Sequence, residues 1–211
     1  MTAMDIAVVG AGPVGTNLAT RFAELGHRVT FGARDPHSDK VRAALQRVHG
    51  ARAEHLSAVP DGADMAVLAV PFAAVGDAIG SMGDLDEVVL VDATNPIGVA
   101  LPAGCASVVD VIRRQAPGAV VVKAFNTIGA EAFLDPTVDG VGLFLPVAGP
   151  EPAASRVAAL GAALGFDAVV VGGEDQAHHL EAMAALWIHL AFRVGLGRHF
   201  GFARLSTERP A

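Results

Sequence analysis

The run Val8-Val9-Gly10-Ala11-Gly12-Pro13-Val14-Gly15 ends an apolar N-terminal stretch, and no other segment limits the fold so tightly. It reads strand, then Gly-x-Gly-x-x-Gly, then helix. That order sets a row of backbone N–H groups and a helix N-terminus at the end of a buried strand, where a pyrophosphate can bind. Gly10 permits the tight turn, Gly12 keeps any side chain from holding the phosphates away, and Gly15 lets the helix pack closely on the strand. The flanks suit the motif. Asp5–Val9 is β-like, and Val14 to Leu25 carries helical periodicity ending at Gly26, a glycine in the position that closes helices.

Short apolar runs alternate with helical patterns along most of the chain. Strands are expected at Asp5–Val9, Arg28–Phe31, Met65–Ala69, Val88–Asp92, Val120–Ala124, Gly142–Ala148 and Ala168–Val171, with a further short one at Arg52–His55. Helices are expected at Val14–Leu25, Asp39–His49, Phe72–Ser81, Val108–Gln115, Gly129–Leu134 and Pro152–Leu164. The strands are continuous Val/Leu/Ala runs without period-2 alternation, which indicates burial on both faces. The fold class is therefore α/β, a Rossmann-type doubly wound sheet, mostly parallel. From Glu174 the pattern changes to one long helical stretch, Asp175 to Phe192, followed by Gly195, Gly197 and Gly201. Residues 1–173 read as the dinucleotide-binding domain and 174–211 as a small C-terminal helical appendage on the cleft or on a partner subunit.

Hydrophobic residues make up 52% and charged ones 18%, enough for a large core and for apolar surface buried between subunits. A net charge of −7 argues against a nucleic-acid partner. The single cysteine, Cys105, excludes an intramolecular disulfide and thiolate metal clusters, and fits a reducing cytosol. Met1 to Met4 leads straight into a strand without a basic leader. Met183 to Phe192 is too short to span a bilayer. The expectation is a soluble, cytoplasmic protein with no membrane partner and no metal.

The second strand discriminates between coenzymes. An NAD site places Asp or Glu at its end, on the ribose 2′-OH. Here the strand runs into Gly32-Ala33-Arg34, and a guanidinium grips a 2′-phosphate where a carboxylate would repel it. Ser38 and Lys40 add a hydroxyl and a second cation; the alternative is an Arg34 in solvent, neutralised by Asp35. The pattern favours NADP(H). Two more loops follow strands at the ligand edge. Ala69-Val70-Pro71-Phe72 would place Val70 and Phe72 near the nicotinamide, with Pro71 also adequate as a helix starter. In Asp92-Ala93-Thr94-Asn95-Pro96, Asn95 either bonds ribose or carboxamide or caps a turn.

The remaining polar residues stay open. Lys123 closes a strand at the ligand edge, meeting an anionic substrate or snorkelling to water. His178 and His179, adjacent on a helix, read as surface residues that point apart. His189 is a hydrogen-bonded core or interface residue or else a proton donor, while Met183, Trp187 and Phe192 pack.

At Lys123-Ala124-Phe125-Asn126-Thr127-Ile128-Gly129, taken with the glycine loop, Gly32-Ala33-Arg34, Val70-Pro71 and Thr94-Asn95-Pro96, the chain resembles the coenzyme F420-dependent NADP oxidoreductase family. The likeness runs on through Pro146-Val147-Ala148-Gly149 and Leu180 to Leu190, nearly the whole chain. It implies a homodimer in which NADP lies along the strand ends and coenzyme F420 stacks on the nicotinamide under C-terminal residues. Gly12, Pro13 and Val14 then fall on the pyrophosphate loop, Ala33 and Arg34 on the 2′-phosphate, and Val70, Pro71 and Phe72 beside the nicotinamide. Phe125, Asn126 and Thr127 fall at the bottom of the second cleft, with Thr127 able to assist a proton, and Ala124 and Asn126 count among the cofactor-binding residues. Arg193, Arg198 and Arg204 would suit an anionic tail of the deazaflavin. This chain departs from the family at Ala33, where a hydroxyl is usual. The expected reaction is hydride exchange between NADPH and F420; the alternatives are reduction of an imine, carbonyl compound, flavin or ferric chelate, or redox sensing without turnover.

Overall fold

In the computed structural model, which describes residues 2–59 and 61–205, the expected alternation is realised. Strands β1 (Asp5–Val9), β2 (Arg28–Ala33), β3 (Arg52–His55), β4 (Met65–Leu68), β5 (Val89–Asp92) and β6 (Val120–Lys123) are joined by α1 (Pro13–Glu24), α2 (Asp39–Arg47), α3 (Val75–Ser81) and α4 (Val108–Gln115). A hairpin of β7 (Thr137–Val138) and β8 (Val141–Gly142) precedes β9 (Phe144–Ala148), α5 (Ala153–Ala163), β10 (Asp167–Gly172) and α6 (Ala177–His189). The eight-stranded sheet has the order β10-β9-β6-β5-β4-β1-β2-β3. The order reverses at β1, and ligands of such sheets bind in the crevice beyond the carboxyl ends at that point.

Alternate residues of β1 explain the unbroken apolar strands. Ile6 and Val8 face one core, built with Phe22, Phe31 and the α5 residues Val157 and Leu160. Ala7 and Val9 face the other, with Val75 and Ile79 of α3 and Val108 and Ile112 of α4. Both faces are covered by helices, so β1 is apolar on both from Ile6 to Val9.

Several boundaries differ from the sequence expectation. The second strand extends through Gly32 to Ala33, while the fourth and sixth end at Leu68 and Lys123. Gly129–Leu134 is a 3₁₀ turn over Ala130–Phe133, because the Asp135-Pro136 pair stops further coiling. Phe72–Ser81 opens with a 3₁₀ turn at Phe72–Ala74 before α3. The long C-terminal stretch ends in a π-turn over Leu190–Val194. Strand β9 joins β6 antiparallel, through Lys123 opposite Ala148, since no crossover helix returns the chain to the other end of the sheet. The tail is tied back: Phe144 N–H donates to Phe202 O at 2.8 Å, and Arg204 forks onto Asp167 at 2.9 and 3.0 Å.

His27, at the start of β2, is buried and accepts the Met4 N–H at Nδ1, 3.1 Å away. Burial holds its imidazole below the ordinary value. The unfolded chain therefore takes up the proton first as pH falls below about 6.5, and the native state loses stability over that window down to the folded value. Thermal melts from pH 8 to pH 5 should show His27→Gln with a shallower decline than the parent; parallel curves would exclude this linkage.

Candidate functional site

The three glycines of the first turn do different work. Gly10 has φ +112°, and a Cβ there would lie 2.5 Å from Ala69 O. A Cβ on Gly15 would collide with Gly10 O. At Gly12 the nearest atom to an added Cβ is Lys40 Nζ, 3.9 Å away, so the space is open. Gly12 is also the N-cap of α1, without a side-chain cap, and Pro13 occupies the first helical position. Thr16 N–H is the first to bond back, to Gly12 O at 2.8 Å. The Val14 and Gly15 amides lack helical acceptors, and no acidic residue stands in the first turn. An anion is the natural occupant.

Beside this turn lies a cleft of about 310 Å³ lined by Gly10, Ala11, Gly32, Ala33, Arg34, Ser38, Lys40 and Val70. Arg34 and Lys40 are exposed, and neither has a carboxylate partner among the described residues. Asp35 and Asp77 also line the cleft; Asp35 accepts the His37 N–H at 2.9 Å and makes no ion pair with Arg34. Ser38 caps α2 with its hydroxyl uncommitted, and so offers the donor that Ala33 lacks. A Cβ on Gly32 would collide with Val59. Its backbone alone borders the cleft.

A second cleft of about 230 Å³ is bordered by Val14, in the first turn of α1. Its floor is Ala93, Asn95, Asn126 and Thr127; its wall is Ala184, Trp187, Ile188 and Phe192, with Arg198 at the rim. Phe125 makes the floor possible. It is buried at φ +64°, a region bulky residues avoid, and its ring packs edge-on to Phe22 and Phe133 at 6.3 and 6.2 Å. The ring goes into the core and the next two residues turn into the cleft. Asn95 Nδ2 donates to Asn126 O at 2.8 Å, and Asn126 Nδ2 donates back to Asn95 Oδ1 at 2.9 Å. Asn126 Oδ1 and Thr127 Oγ1 are left buried without a partner among the described residues. Such atoms are costly unless a ligand or water meets them. Gly129 makes room for Trp187, whose ring lies 2.7 Å from where a Cβ would stand, and Trp187 Nε1 donates to Phe200 O at 2.9 Å.

Some expected site residues lie elsewhere. Ala124 is sealed in the core and has no surface for a coenzyme. Gly15 is buried against Gly10, and Ala69 serves as its close neighbour through the carbonyl. Pro13, Pro71, Phe72 and Pro96 border the loops without lining either cleft; Phe72 packs half-buried on the α3/α4 core. His189 is exposed at the end of α6, outside the cleft wall, because Ala184 and Ile188 take the inward stripe of that helix. Phe192, expected to pack, is 59% exposed at the cleft with Arg198 over its ring. The exposed rings of His178 and His179 approach to 3.9 Å rather than pointing apart, His178 Nδ1 lying 2.8 Å from Asp175 O. Of the three C-terminal arginines only Arg198 lines the second cleft, where it pairs with Glu131; Arg204 is committed to Asp167. Lys123 neither faces a ligand nor reaches water: it is fully buried among Asp92, Thr94 and Glu181. Asp92, Gly129 and Glu181 stand inside runs singled out in the sequence, but no role is assigned to them there.

No helix among the described residues is long and apolar enough to cross a membrane. Residues 5–96 match the family described as NADP oxidoreductase, coenzyme F420-dependent. The chain is similar throughout to a candidate F420-dependent NADP reductase from Arthrobacter sp. FB24, with 30% identity, a TM-score of 0.84, and coverage of 97% of this chain and 100% of the other. A hypothetical protein from Sinorhizobium meliloti is 29% identical with a TM-score of 0.72, over 82% of this chain and 86% of its own. A reductive aminase from Aspergillus terreus, solved with NADPH, shares the fold at 19% identity and a TM-score of 0.65, over 92% of this chain and 66% of its own.

Proposed function

The chain belongs to the coenzyme F420-dependent NADP oxidoreductase family, and from that premise we propose that it exchanges hydride between NADP(H), held in the first cleft, and the deazaflavin coenzyme F420, held in the second. One observation carries the reading: a cleft at the glycine turn presents Arg34 and Lys40 without carboxylate partners, and a second cleft, lined by Val14 of the same helix start, holds two buried polar atoms unpartnered among the described residues. The residues fit both groups. Gly12 and the Val14 and Gly15 amides would hold the diphosphate, and Arg34 with Ser38 the 2′-phosphate. Lys40, whose nitrogen stands near Gly12, would serve the charge of both. When bound, NADPH supplies the hydride and the deazaflavin ring accepts it. Asn126 Oδ1 can accept from a ring N–H, and Thr127 Oγ1 can hold a proton beside a ring nitrogen. Trp187, Ile188 and Phe192 keep water from the reacting carbons, and the stiff Phe125 turn fixes the floor against which a planar ring would rest. Positioning of this kind, rather than acid–base power, lowers the barrier of hydride transfer.

The test is an anaerobic mixture of protein, NADPH and oxidised F420. Loss of the deazaflavin's visible absorbance, matched one-for-one by NADPH consumed, is expected. Tight NADPH binding with no bleaching would reject F420 as the acceptor.

A further inference from the structure

Lys123 ends β6 with an ammonium fully removed from water. Its three N–H donors meet three acceptors: Asp92 Oδ2 at 2.8 Å, Glu181 Oε1 at 2.8 Å and the Thr94 carbonyl at 2.6 Å. An unbranched apolar side chain would fill the same space, and exchanging buried ion pairs for well-packed apolar groups is often neutral or stabilising. Cohesion alone therefore does not explain a lysine here. An apolar side chain could not fix where three separate segments stand relative to one another.

Those segments meet at the second cleft. Asp92 Oδ1 accepts the Thr94 N–H at 2.9 Å and its hydroxyl at 2.7 Å, while Lys123 holds the Thr94 carbonyl, so the corner is gripped from both sides. The next residue is Asn95, whose reciprocal pair with Asn126 forms the cleft floor. From the other direction Glu181 arrives on α6 and also takes the Val108 N–H of α4 at 2.9 Å. Ala184, one turn beyond Glu181, and Trp187 belong to the cleft wall. One ammonium thus joins floor to wall.

We propose that Lys123 is a positioning residue for the second ligand: with Asp92 and Glu181 it sets the spacing between the Asn95–Asn126 floor and the α6 wall. This rests on the reading that the second cleft takes the hydride acceptor. Lys123 touches neither ligand; it acts through the residues that do.

Lys123→Met alone strands two buried carboxylates and is expected to melt early or fail to fold. The informative variant combines Lys123→Met with Glu181→Gln. It removes one charge of each sign, keeps an acceptor for the Val108 N–H, and strands one carboxylate instead of two. Asp92 Oδ1 keeps its two Thr94 donors while Oδ2 loses the ammonium, so a lowered Tm is expected here too, and parent-level NADPH affinity is the check that the variant is folded. The KM for oxidised F420 should rise about 10- to 100-fold, while the affinity for NADPH, bound in the other cleft, stays at the parent value. Trp187 is the chain's one tryptophan and there is no tyrosine, so its emission and indole N–H resonance report the wall directly. Both should move in the double variant without any ligand. A lowered Tm with KM, emission and resonance all as in the parent would reduce the cluster to a structural bond and overturn the proposal. If the parent protein itself fails to bleach F420 while the indole resonance still moves in the variant, the acceptor has been misassigned and the positioning role stands.

Discussion

Replacing Arg34 with alanine should raise the KM for NADPH about 10- to 100-fold and leave the KM for NADH nearly unchanged. The magnitude follows from a charge-assisted hydrogen bond, worth about 1.5–3 kcal/mol, or roughly a factor of 10 to 150 in affinity. Its selectivity follows from geometry. Arg34 comes just after β2, lines the cleft, and has no carboxylate partner to release among the described residues. Only the 2′-phosphate distinguishes the two coenzymes there. Lys40 makes the contrast, since its nitrogen stands beside Gly12: Lys40→Ala should weaken both coenzymes. Steady-state kinetics with each coenzyme decide the matter, and an equal loss for NADPH and NADH at Arg34 would remove the 2′-phosphate assignment.

How much of this was readable beforehand depended on whether the physics was local. The glycine turn, the apolar strands and Arg34 are local statements, each about a residue and its near neighbours in sequence, and each lies where it was expected. Lys123 is the opposite case. Its position at a strand end suggested a ligand or solvent, but its partners stand 31, 29 and 58 positions away, and no periodicity links β6 to α6. Glu181 looked like any charged residue on a helix. His189 failed for a related reason: the apolar stripe of α6 proved narrower than its composition, and a one-residue offset on a helix turns a side chain about 100° away. Phe125 carried a signal of another kind. A positive φ is readable when the residue is glycine, whereas a phenylalanine held there by aromatic neighbours gives no warning. Gly32 borders the first cleft, and the contact that bars a side chain there, with Val59, lies 27 residues on in the sequence, beyond any local pattern.

Gly12→Ala and Gly15→Ala separate binding from folding within one turn. A methyl on Gly12 meets nothing nearer than Lys40 Nζ at 3.9 Å, and the residue has φ −81°, which alanine adopts freely. This variant should melt within a few degrees of the parent. Yet its methyl would occupy the space where a diphosphate must approach the Val14 and Gly15 amides. Losing two charge-assisted bonds of about 1.5 kcal/mol or more each lowers coenzyme affinity by at least about 100-fold. Gly15→Ala places its methyl on Gly10 O, inside the joint between α1 and β1, where no flexible side chain can yield. The helix would have to lift off the strand and open the core around Val8, at a cost of about 3 kcal/mol or more against a total stability of only about 5–15. Gly15→Ala should therefore be poorly folded before any coenzyme is added. Thermal melts and calorimetric titration with NADPH separate the two. A Gly12→Ala protein that folds and still binds NADPH at parent affinity would show that the diphosphate does not lie on this turn.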